Sequence, residues 1–345
     1  MSTVRAAAAR DETCRQILRA TTSGLRLRLR LSNAMSPAPL MLTSISVGIR
    51  RSGAAIDAPL PVLVGGSAEV LLPAGAQVTT DPVAMVVPPG ADVAVSFAVR
   101  GTARLSEHAV GAATGWCTGP GTGDHTKDTR GSAFRVASRE GLVLEDVEVE
   151  GSGSAPAGIL AVGDSLTDPP LPPDGYQRWT DEVARQLPGH AVANIAIGGN
   201  RVLLAGGYGP TLSDRFDRDV LGRPGAGNLV LFAGTNDVSV GIPAAALISR
   251  LTQLCATATK AGLQVVLVTL APAEHRPAGR EATRQAVNRW MRSTHVAAKH
   301  VDADALLRDP AHPTRLLPSY DMGDGLHLSA RGHQRLGRAI SAALR

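Results

Sequence analysis

The second half of the sequence alternates short apolar runs with longer amphipathic stretches, and this pattern restricts the fold more than any other feature. The apolar runs have the length of buried strands, and the stretches between them have helical periodicity. Strands that alternate with helices form βαβ units and therefore a parallel, doubly wound sheet. The predicted strands are 158–162, 192–197, 229–233 and 265–270, and the predicted helices are 176–187, 243–261, 278–298 and 329–344.

The first half of the sequence has the pattern of short strands joined by turns. Apolar and polar residues alternate over 93–99 and 144–149, and Gly, Pro, Ser and Asp separate such runs. This spacing predicts an antiparallel, jelly-roll-like β-sandwich over residues 1–150. The segment 5–20 is compatible with a short leading helix. Residues 151–156, Gly-Ser-Gly-Ser-Ala-Pro, are a linker by composition, and the α/β domain follows them.

The charges do not form the clustered stripe that is typical of nucleic-acid binding. The chain has 35 Lys and Arg against 30 Asp and Glu, a net charge of +5, and the two signs alternate through most of the second half. The exception is the segment 25–31, in which leucine alternates with arginine. This alternation predicts an amphipathic strand with leucine inward, and a phosphate-contacting ribbon is the alternative. We therefore expect no nucleic-acid partner.

Two further compositional features exclude classes of function. No run of eighteen apolar residues is present, so the sequence predicts no membrane-spanning helix and no membrane partner. Aromatic residues make up 3% of the chain, and residues 1–150 contain only Phe97, Trp116 and Phe134. This scarcity argues against a first domain that stacks sugars or bases.

The three cysteines, Cys14, Cys117 and Cys255, are too few and too widely spaced for a disulfide framework or a zinc site. One disulfide with an odd thiol stays open, but three reduced cysteines are the simpler expectation. The first residues lack the apolar core of a secretory signal, which predicts a cytoplasmic protein unless a leader was removed beforehand. The histidine pairs lack the spacing of a helical metal site, so we expect neither a metal nor another cofactor.

Four polar motifs follow the predicted strands or lie in the last loop. Ser165 in Gly-Asp-Ser-Leu follows the first strand of the α/β pattern, where a strand-to-helix turn places a hydroxyl at a helix N-terminus. Gly199 in Gly-Gly-Asn and Asn236 in Gly-Thr-Asn-Asp follow the next two strands and offer N–H donors for an oxyanion. Asp324 and His327 in Asp-Gly-Leu-His place a carboxylate beside an imidazole. Each motif alone also fits an ordinary turn or cap. However, the carboxyl ends of parallel strands meet at one edge of a sheet, so the four motifs together predict a single site there.

In the order and placement of these motifs, the chain resembles the SGNH (GDSL-type) hydrolases, whose four blocks centre on Ser, Gly, Asn and His. The resemblance covers residues 158–344 and implies a flavodoxin-like, three-layer α/β/α domain with a parallel sheet, here residues 157–345. More loosely, it extends to a two-domain bacterial subgroup with a β-rich N-terminal region. Motifs such as Gly-Asp-His-Thr and Arg-Phe-Asp-Arg-Asp-Val-Leu, both present in this sequence, recur in that subgroup.

The resemblance also implies the roles of individual residues. Ser165 would be the nucleophile, His327 the base and Asp324 the partner of His327. Ser165, Gly199 and Asn236 would form an oxyanion hole. Neighbouring residues that we expect to contact the substrate are Asp164, Asn200 and Asp237.

We therefore expect a serine ester hydrolase that acts on a small-molecule ester without a cofactor. Because aromatic residues are scarce, aliphatic walls and polar loops would define the pocket, which favours a short-chain or small polar ester. Two alternatives stay open: an acyltransferase or ester-forming enzyme with the same residues, and a glycan-binding protein with a vestigial hydrolase domain. The sequence indicates no oligomeric state.

Overall fold

The computed structural model describes residues 1–5, 8–151, 155–274 and 279–345. These residues form two compact units. The first unit contains Met1–Ala155 together with Pro172–Tyr176, and the second contains Pro156–Leu171 and Gln177–Arg345. Residues 152–154 of the expected linker, and residue 278 of an expected helix, lie outside the described residues. The assignment of Pro172–Tyr176 to the first unit has no counterpart in the sequence pattern.

The first unit consists of antiparallel strands, and its described residues contain no α-helix. The strands are β1 (Thr3–Val4), β2 (Ala9–Arg19), β3 (Gly24–Ser32), β4 (Leu40–Ser52), β5 (Ala55–Ile56), β6 (Leu60–Pro61), β7 (Val70–Leu72), β8 (Gln77–Thr79), β9 (Val83–Val87), β10 (Asp92–Ala103), β11 (Ser106–His108), β12 (Gly115–Cys117), β13 (Val136–Ser138), β14 (Gly141–Leu142) and β15 (Leu144–Glu150).

The described strands of the first unit form three sheets. The largest has the order β13-β12-β2-β10-β4-β5, and β6 and β7 also pair with β4. A second has the order β15-β3-β8 with β9 also on β3, and the third has the order β1-β11-β14. Leucines and valines of the first two sheets share one buried cluster. The central strands β2 and β10 of the largest sheet are buried on both faces: Cys14 and Phe97 join this cluster, whereas Ile17 and Ala94 join a second one.

Strand β3 has the predicted amphipathic form. Its buried leucines are Leu27, Leu29 and Leu31. Leu25 is exposed, because the register of β3 against β9 shifts between Gly24 and Arg26. The arginines face the acidic strand β15, and Arg30 forms a 3.2 Å ion pair with Glu148. Opposite charges on adjacent strands therefore account for the arginine repeat.

The expected leading helix over 5–20 is wrong. Residues Ala9–Arg19 form β2, which pairs along its length with β10 and also contacts β12. Residues 6 and 7 lie outside the described residues. Pairing with two neighbouring strands overrides the weak local helix propensity of this segment.

The expectation of three reduced cysteines is also wrong. Cys14 on β2 and Cys117 on β12 are cross-strand neighbours and form a disulfide, and Cys255 is the buried free thiol. Among the described residues, the one cluster with metal-ligand spacing consists of Glu12 and these two cysteines. The disulfide occupies both sulfur atoms, so this cluster offers no thiolate to a metal.

The second unit contains five parallel strands and the helices between them. The strands are β16 (Gly158–Gly163), β17 (Val192–Asn194), β18 (Ala226–Phe232), β19 (Gln264–Val268) and β20 (Lys299–Val301). The helices are α1 (Trp179–Gln186), α2 (Leu212–Phe216), which continues into a π-helical turn (Asp217–Leu221), α3 (Thr235–Val240), α4 (Ala244–Lys260), α5 (Arg280–Ser293), α6 (Ala303–Leu307) and α7 (Ala330–Leu344).

The strand order β17-β16-β18-β19-β20 is that of a flavodoxin-like sheet. Successive residues of each strand pack on opposite layers. On β18, Leu229 and Leu231 join a core with α4 and α5, whereas Val230 and Phe232 join a core with α1 and α7. The predicted three-layer α/β/α architecture is confirmed, and the order places the ends of β16, β17 and β18 side by side.

No helix within the described ranges combines the length with the apolar composition that a membrane crossing requires.

Candidate active site

Ser165 lies in a tight turn directly after β16. The N–H groups of Thr167 and Asp168 both donate to the carbonyl of Asp164 at 2.9 Å, and the N–H of Leu166 donates to the Asp164 carboxylate at 3.0 Å. The expected helix N-terminus at Ser165 is wrong, because the turn ends at once and the next helix, α1, begins at Trp179. The Asp164 side chain fixes this turn in the way that Asx turns are fixed.

The far side of this turn is held by α1 and β17. Arg178, directly before α1, forms a buried ion pair with Asp168 at 2.9 Å. The indole N–H of Trp179 donates to the Thr167 hydroxyl at 3.3 Å, and the Asn194 amide donates to the Thr167 carbonyl at 2.9 Å. Buried contacts of this kind restrict the directions in which the Ser165 hydroxyl can point.

His327 reaches Ser165 from the loop before α7. Its Nε2 lies 2.9 Å from the Ser165 hydroxyl, and its Nδ1 lies 2.6 Å from Asp324 Oδ2. Since the Asp324 carboxylate can only accept, Nδ1 carries the proton and Nε2 accepts from Ser165. The predicted carboxylate, imidazole and hydroxyl therefore form one continuous hydrogen-bonded chain.

Asp324 is exposed, yet it is held in position by three hydrogen bonds. Its Oδ1 accepts from the N–H groups of Leu326 and His327 at 2.9 and 2.8 Å, and its Oδ2 accepts from the imidazole. Partial burial raises the pKa of Asp324, but these hydrogen bonds outweigh it and bring the pKa below its usual value. Asp324 is therefore ionised at neutral pH.

Gly199 forms a turn beside Ser165. A Cβ placed on the neighbouring Gly198 would lie 4.0 Å from the Ser165 Cβ, which shows how closely the two turns approach. Gly199 has a φ of +70°, a conformation that favours glycine. Across the described parts of the chain, the N–H groups of Ser165 and Gly199 have no acceptor. Both donors are therefore available to a ligand.

Asn236 lies in the first turn of α3 and connects the second and third motifs. One side-chain N–H donates to the Asn200 carbonyl at 2.9 Å. A primary amide carries two N–H donors, so this bond orients the group and leaves the second donor. The structure thus brings together the residues predicted as nucleophile, base, partner of the base and oxyanion donors: Ser165, His327, Asp324, Gly199 and Asn236.

Arg215 is a buried support that the sequence analysis did not assign. Its guanidinium donates to the Asn200 side-chain oxygen at 3.1 Å, to the Ile195 carbonyl at 2.7 Å and to Asp219 at 3.1 Å. Burial lowers its pKa, and Asp219 partly offsets this effect. The Arg-Phe-Asp-Arg-Asp motif contained this residue, but nothing in the local pattern indicated that it turns inward beneath Asn200.

A model of the GDSL-like lipase/acylhydrolase family matches residues 161–335, which is half of the 345-residue chain and includes all four motifs. The chain belongs to the GDSL-like lipase/acylhydrolase family. The resemblance predicted from the motifs is confirmed, and the protein is an enzyme of the ester hydrolase class.

Several solved structures are similar to part of this family member. They include a carbohydrate acetylesterase from Sinorhizobium meliloti, at 19% identity over 55% of this chain and 98% of that one, with a TM-score of 0.46. An aryl esterase from M. smegmatis matches at 19% identity over 55% and 98%, with a TM-score of 0.44. An acetylxylan esterase from Geobacillus stearothermophilus matches at 20% identity over 55% and 94%, with a TM-score of 0.42. No curated protein sequence matches the chain.

The three side chains expected to contact the substrate of this GDSL-family enzyme make hydrogen bonds to nearby main-chain groups. Asp164 fixes the Ser165 turn, and the Asn200 amide donates to the carbonyls of Tyr208 and Pro210 at 2.9 and 2.8 Å. The Asp237 carboxylate accepts from the N–H groups of Val202 and Leu203, and burial raises its pKa. All three side chains are buried.

One aromatic ring lies next to a proposed site residue. A Cβ placed on Gly199 would lie 2.4 Å from Cδ2 of Tyr208, so the tyrosine ring packs against this glycine. The sequence signal was weak, since Tyr208 stands alone in a glycine-rich loop. Only the return of that loop to Gly199 brings the ring to the site.

Proposed function

We propose that this GDSL-family esterase hydrolyses a carboxylic ester with Ser165 as nucleophile, His327 as general base and Asp324 as the residue that orients His327. The observation that carries this proposal is the hydrogen-bonded chain from Asp324 to Ser165, with distances of 2.6 and 2.9 Å. A serine hydroxyl is a weak nucleophile until a base within hydrogen-bond reach takes its proton.

In the first half of the reaction, His327 Nε2 takes the proton from the Ser165 hydroxyl while Oγ attacks the ester carbonyl carbon. The carbonyl π electrons move to the oxygen and give a tetrahedral oxyanion. When the carbonyl re-forms, the bond to the alcohol oxygen breaks and His327 gives its proton to the leaving alcohol. Asp324 stabilises the imidazolium while it exists.

Three donors surround the position of the oxyanion in this proposal: the Ser165 N–H, the Gly199 N–H and the second amide N–H of Asn236. The first two have no acceptor among the described residues, and the amide is oriented by its bond to Asn200. One such donor is typically worth about 3 kcal/mol of transition-state stabilisation, or roughly a hundredfold in rate.

In the second half, water takes the place of the alcohol. His327 removes a proton from the water molecule as its oxygen attacks the acyl carbon, and a second oxyanion forms. Its collapse breaks the bond to Ser165 Oγ, which recovers the proton from His327, and releases the carboxylic acid. The residues end in their initial states, so no cofactor is needed.

The test is the variant Ser165→Ala beside the control Ser239→Ala, which removes a hydroxyl from α3. Turnover of p-nitrophenyl acetate should fall by at least about three orders of magnitude in the first and stay at the wild-type level in the second. Thermal unfolding of both variants should match the wild type. A fluorophosphonate should label Ser165 in the wild type. Retained turnover in a folded Ser165→Ala protein would contradict the proposal.

The acyltransferase alternative differs only in the second half, where an alcohol or amine replaces water at the acyl-enzyme. No feature of the described residues favours that acceptor. Product analysis with glycerol or an amine present distinguishes the two activities, because a transferase forms the new ester or amide in preference to the free acid.

We propose that the protein is located outside the reducing cytoplasm, contrary to the cytoplasmic expectation, and the disulfide supports this localisation. Disulfides persist mainly in oxidising compartments, and Cys14 and Cys117 are paired in the core of the first unit. Fractionation of producing cells would test this: enzyme found with its cysteines reduced in the cytoplasm contradicts it.

A further inference from the structure

Large apolar side chains are exposed at four positions in the described residues of the second unit, and all four belong to segments of the active site. Two lie on the loop that follows Asn200, one ends the helix that carries Asn236, and one lies in the loop before His327. We call these residues the apolar rim: Leu204, Tyr208, Val240 and Met322. Single exposed apolar groups are ordinary on a protein surface, but the ring of Tyr208 also contacts Gly199, a proposed site residue.

Tyr208 is the most exposed member of the apolar rim, at 68%. Its Cδ2 and Cε2 atoms would lie 2.4 and 3.1 Å from a Cβ on Gly199, so the ring rests directly on the Gly199 backbone. The missing side chain of Gly199 therefore makes room for an aromatic ring as well as permitting the turn. One edge of the ring contacts the protein, and the rest of its surface faces solvent.

Buried hydrogen bonds hold the loop that carries Tyr208 at both ends. The Asp237 carboxylate accepts from the N–H groups of Val202 and Leu203 at 2.8 and 3.0 Å. The Asn200 amide donates to the Tyr208 carbonyl at 2.9 Å. The ring is thus presented by a fixed backbone, which is the condition for a group that discriminates between ligands.

The chemistry of the proposed reaction assigns a different part of the substrate to each side of the apolar rim. His327 must protonate the leaving alcohol, so the alcohol lies toward the His327 loop. Met322 belongs to that loop, and its N–H donates to the His327 carbonyl at 3.0 Å. Tyr208 instead adjoins Gly199, on the side of the oxyanion donors. The carbonyl oxygen of the ester binds those donors. Of the other two groups on the carbonyl carbon, the acyl chain is the one directed away from His327, and we therefore place it beside Tyr208.

We propose that Tyr208 is a specificity-determining residue for the acyl group, and that the preferred substrates carry an apolar acyl group larger than acetyl. This inference rests on the proposed function of Ser165. The ring offers an apolar face to an alkyl or aryl chain, and removing such a contact typically changes discrimination by about 10-fold to 200-fold. Because aromatic residues are scarce elsewhere in the chain, this ring distinguishes the surface beside Gly199 from the rest of the protein.

The experiment compares two substrate series in wild type, Tyr208→Ala, Tyr208→Phe and the distant control Leu71→Ala, which removes an exposed apolar group of the first unit. The acyl series is p-nitrophenyl acetate, butanoate and hexanoate, and the alcohol series is phenyl, p-nitrophenyl and ethyl acetate. In Tyr208→Ala, the kcat/KM ratio of hexanoate to acetate should fall about tenfold. Tyr208→Phe and Leu71→Ala should keep the wild-type ratio, and the alcohol series should keep its order in all four proteins.

Two results would overturn the inference while the proposed function stands. One is an unchanged hexanoate-to-acetate ratio in a Tyr208→Ala enzyme that a fluorophosphonate still labels at Ser165. The other is an equal loss on every ester, which would mean that the ring only supports Gly199. Failure of the proposed function looks different: the wild type itself would neither hydrolyse any of these esters nor react with the fluorophosphonate.

Discussion

The side-chain amide of Asn236 donates a 2.9 Å hydrogen bond to the main-chain carbonyl of Asn200. This bond joins the first turn of α3 to the loop after β17, which carries Gly199. Arg215 supports the loop after β17 from below, because its guanidinium donates to the Asn200 side chain. Two proposed oxyanion donors therefore share one rigid support.

We predict that Asn236→Ala lowers kcat about a hundredfold and changes KM much less, because an oxyanion donor acts mainly in the transition state. Steady-state kinetics with p-nitrophenyl acetate measure both constants. Ser239→Ala on the same helix is the matched control and should resemble the wild type. A large rise in KM with normal kcat would assign Asn236 to ground-state binding instead.

Asp324→Ala should lower kcat about a hundredfold or more, yet less than Ser165→Ala does. The carboxylate orients His327 and stabilises the imidazolium, but it takes no part in the bonds that form and break. Because the Asp324 side chain is 48% exposed, water can partly replace it. Rates measured near neutral pH test this order. Asp309→Ala, which removes a half-buried, turn-forming carboxylate, is the control.

His333 on α7 should make the fold sensitive to acid. The side chain is fully buried, and within the described residues neither ring nitrogen has a hydrogen-bond partner. Burial lowers the pKa of His333 to about 3, and the electrostatic effects of Arg178 and His327 act in the same direction. An unfolded histidine takes up its proton near pH 6.5, so below that pH the unfolded state binds more protons than the folded state.

The free energy of unfolding should therefore fall as the pH falls from about 6.5 toward 3, by up to about 1.4 kcal/mol per pH unit from His333 alone. The variant His333→Leu lacks this contribution, so its stability should depend less steeply on pH in that window. Urea unfolding at about pH 7 and about pH 4.5 measures the difference. Equal pH dependence in the two proteins would show that His333 is not neutral in the fold.

The cysteines should differ in reactivity. Burial raises the pKa of the Cys255 thiol to about 12, and no other thiol is free in the described residues. Ellman's reagent should therefore detect no thiol in the native protein, one after unfolding, and three after unfolding with reductant. Cys14→Ala with Cys117→Ala should lower the stability of the first unit by about 2–5 kcal/mol. Three thiols in the unfolded, non-reduced protein would exclude the disulfide.

Local patterns were enough to predict the layered α/β unit and the residues that meet at its candidate active site. The apolar runs become β16 to β19 because they alternate with amphipathic helices, and side chains at adjacent strand ends must meet. The helix predicted over 329–344 is α7, whose first residue follows the Ser329 cap. Over residues 5–20, tertiary strand pairing opposes the local helix preference, and the sequence-based prediction is wrong there.

The sequence by itself thus determined the periodicities, and through them the order of elements and the edge at which Ser165 and His327 come together. Only the tertiary structure decided the pairs that no local pattern encodes. Cys14 meets Cys117 across 103 residues, and Tyr208 reaches Gly199 only because its loop folds back. Periodicity specifies which face of an element is buried, whereas such contacts depend on which surfaces pack together once every element has folded.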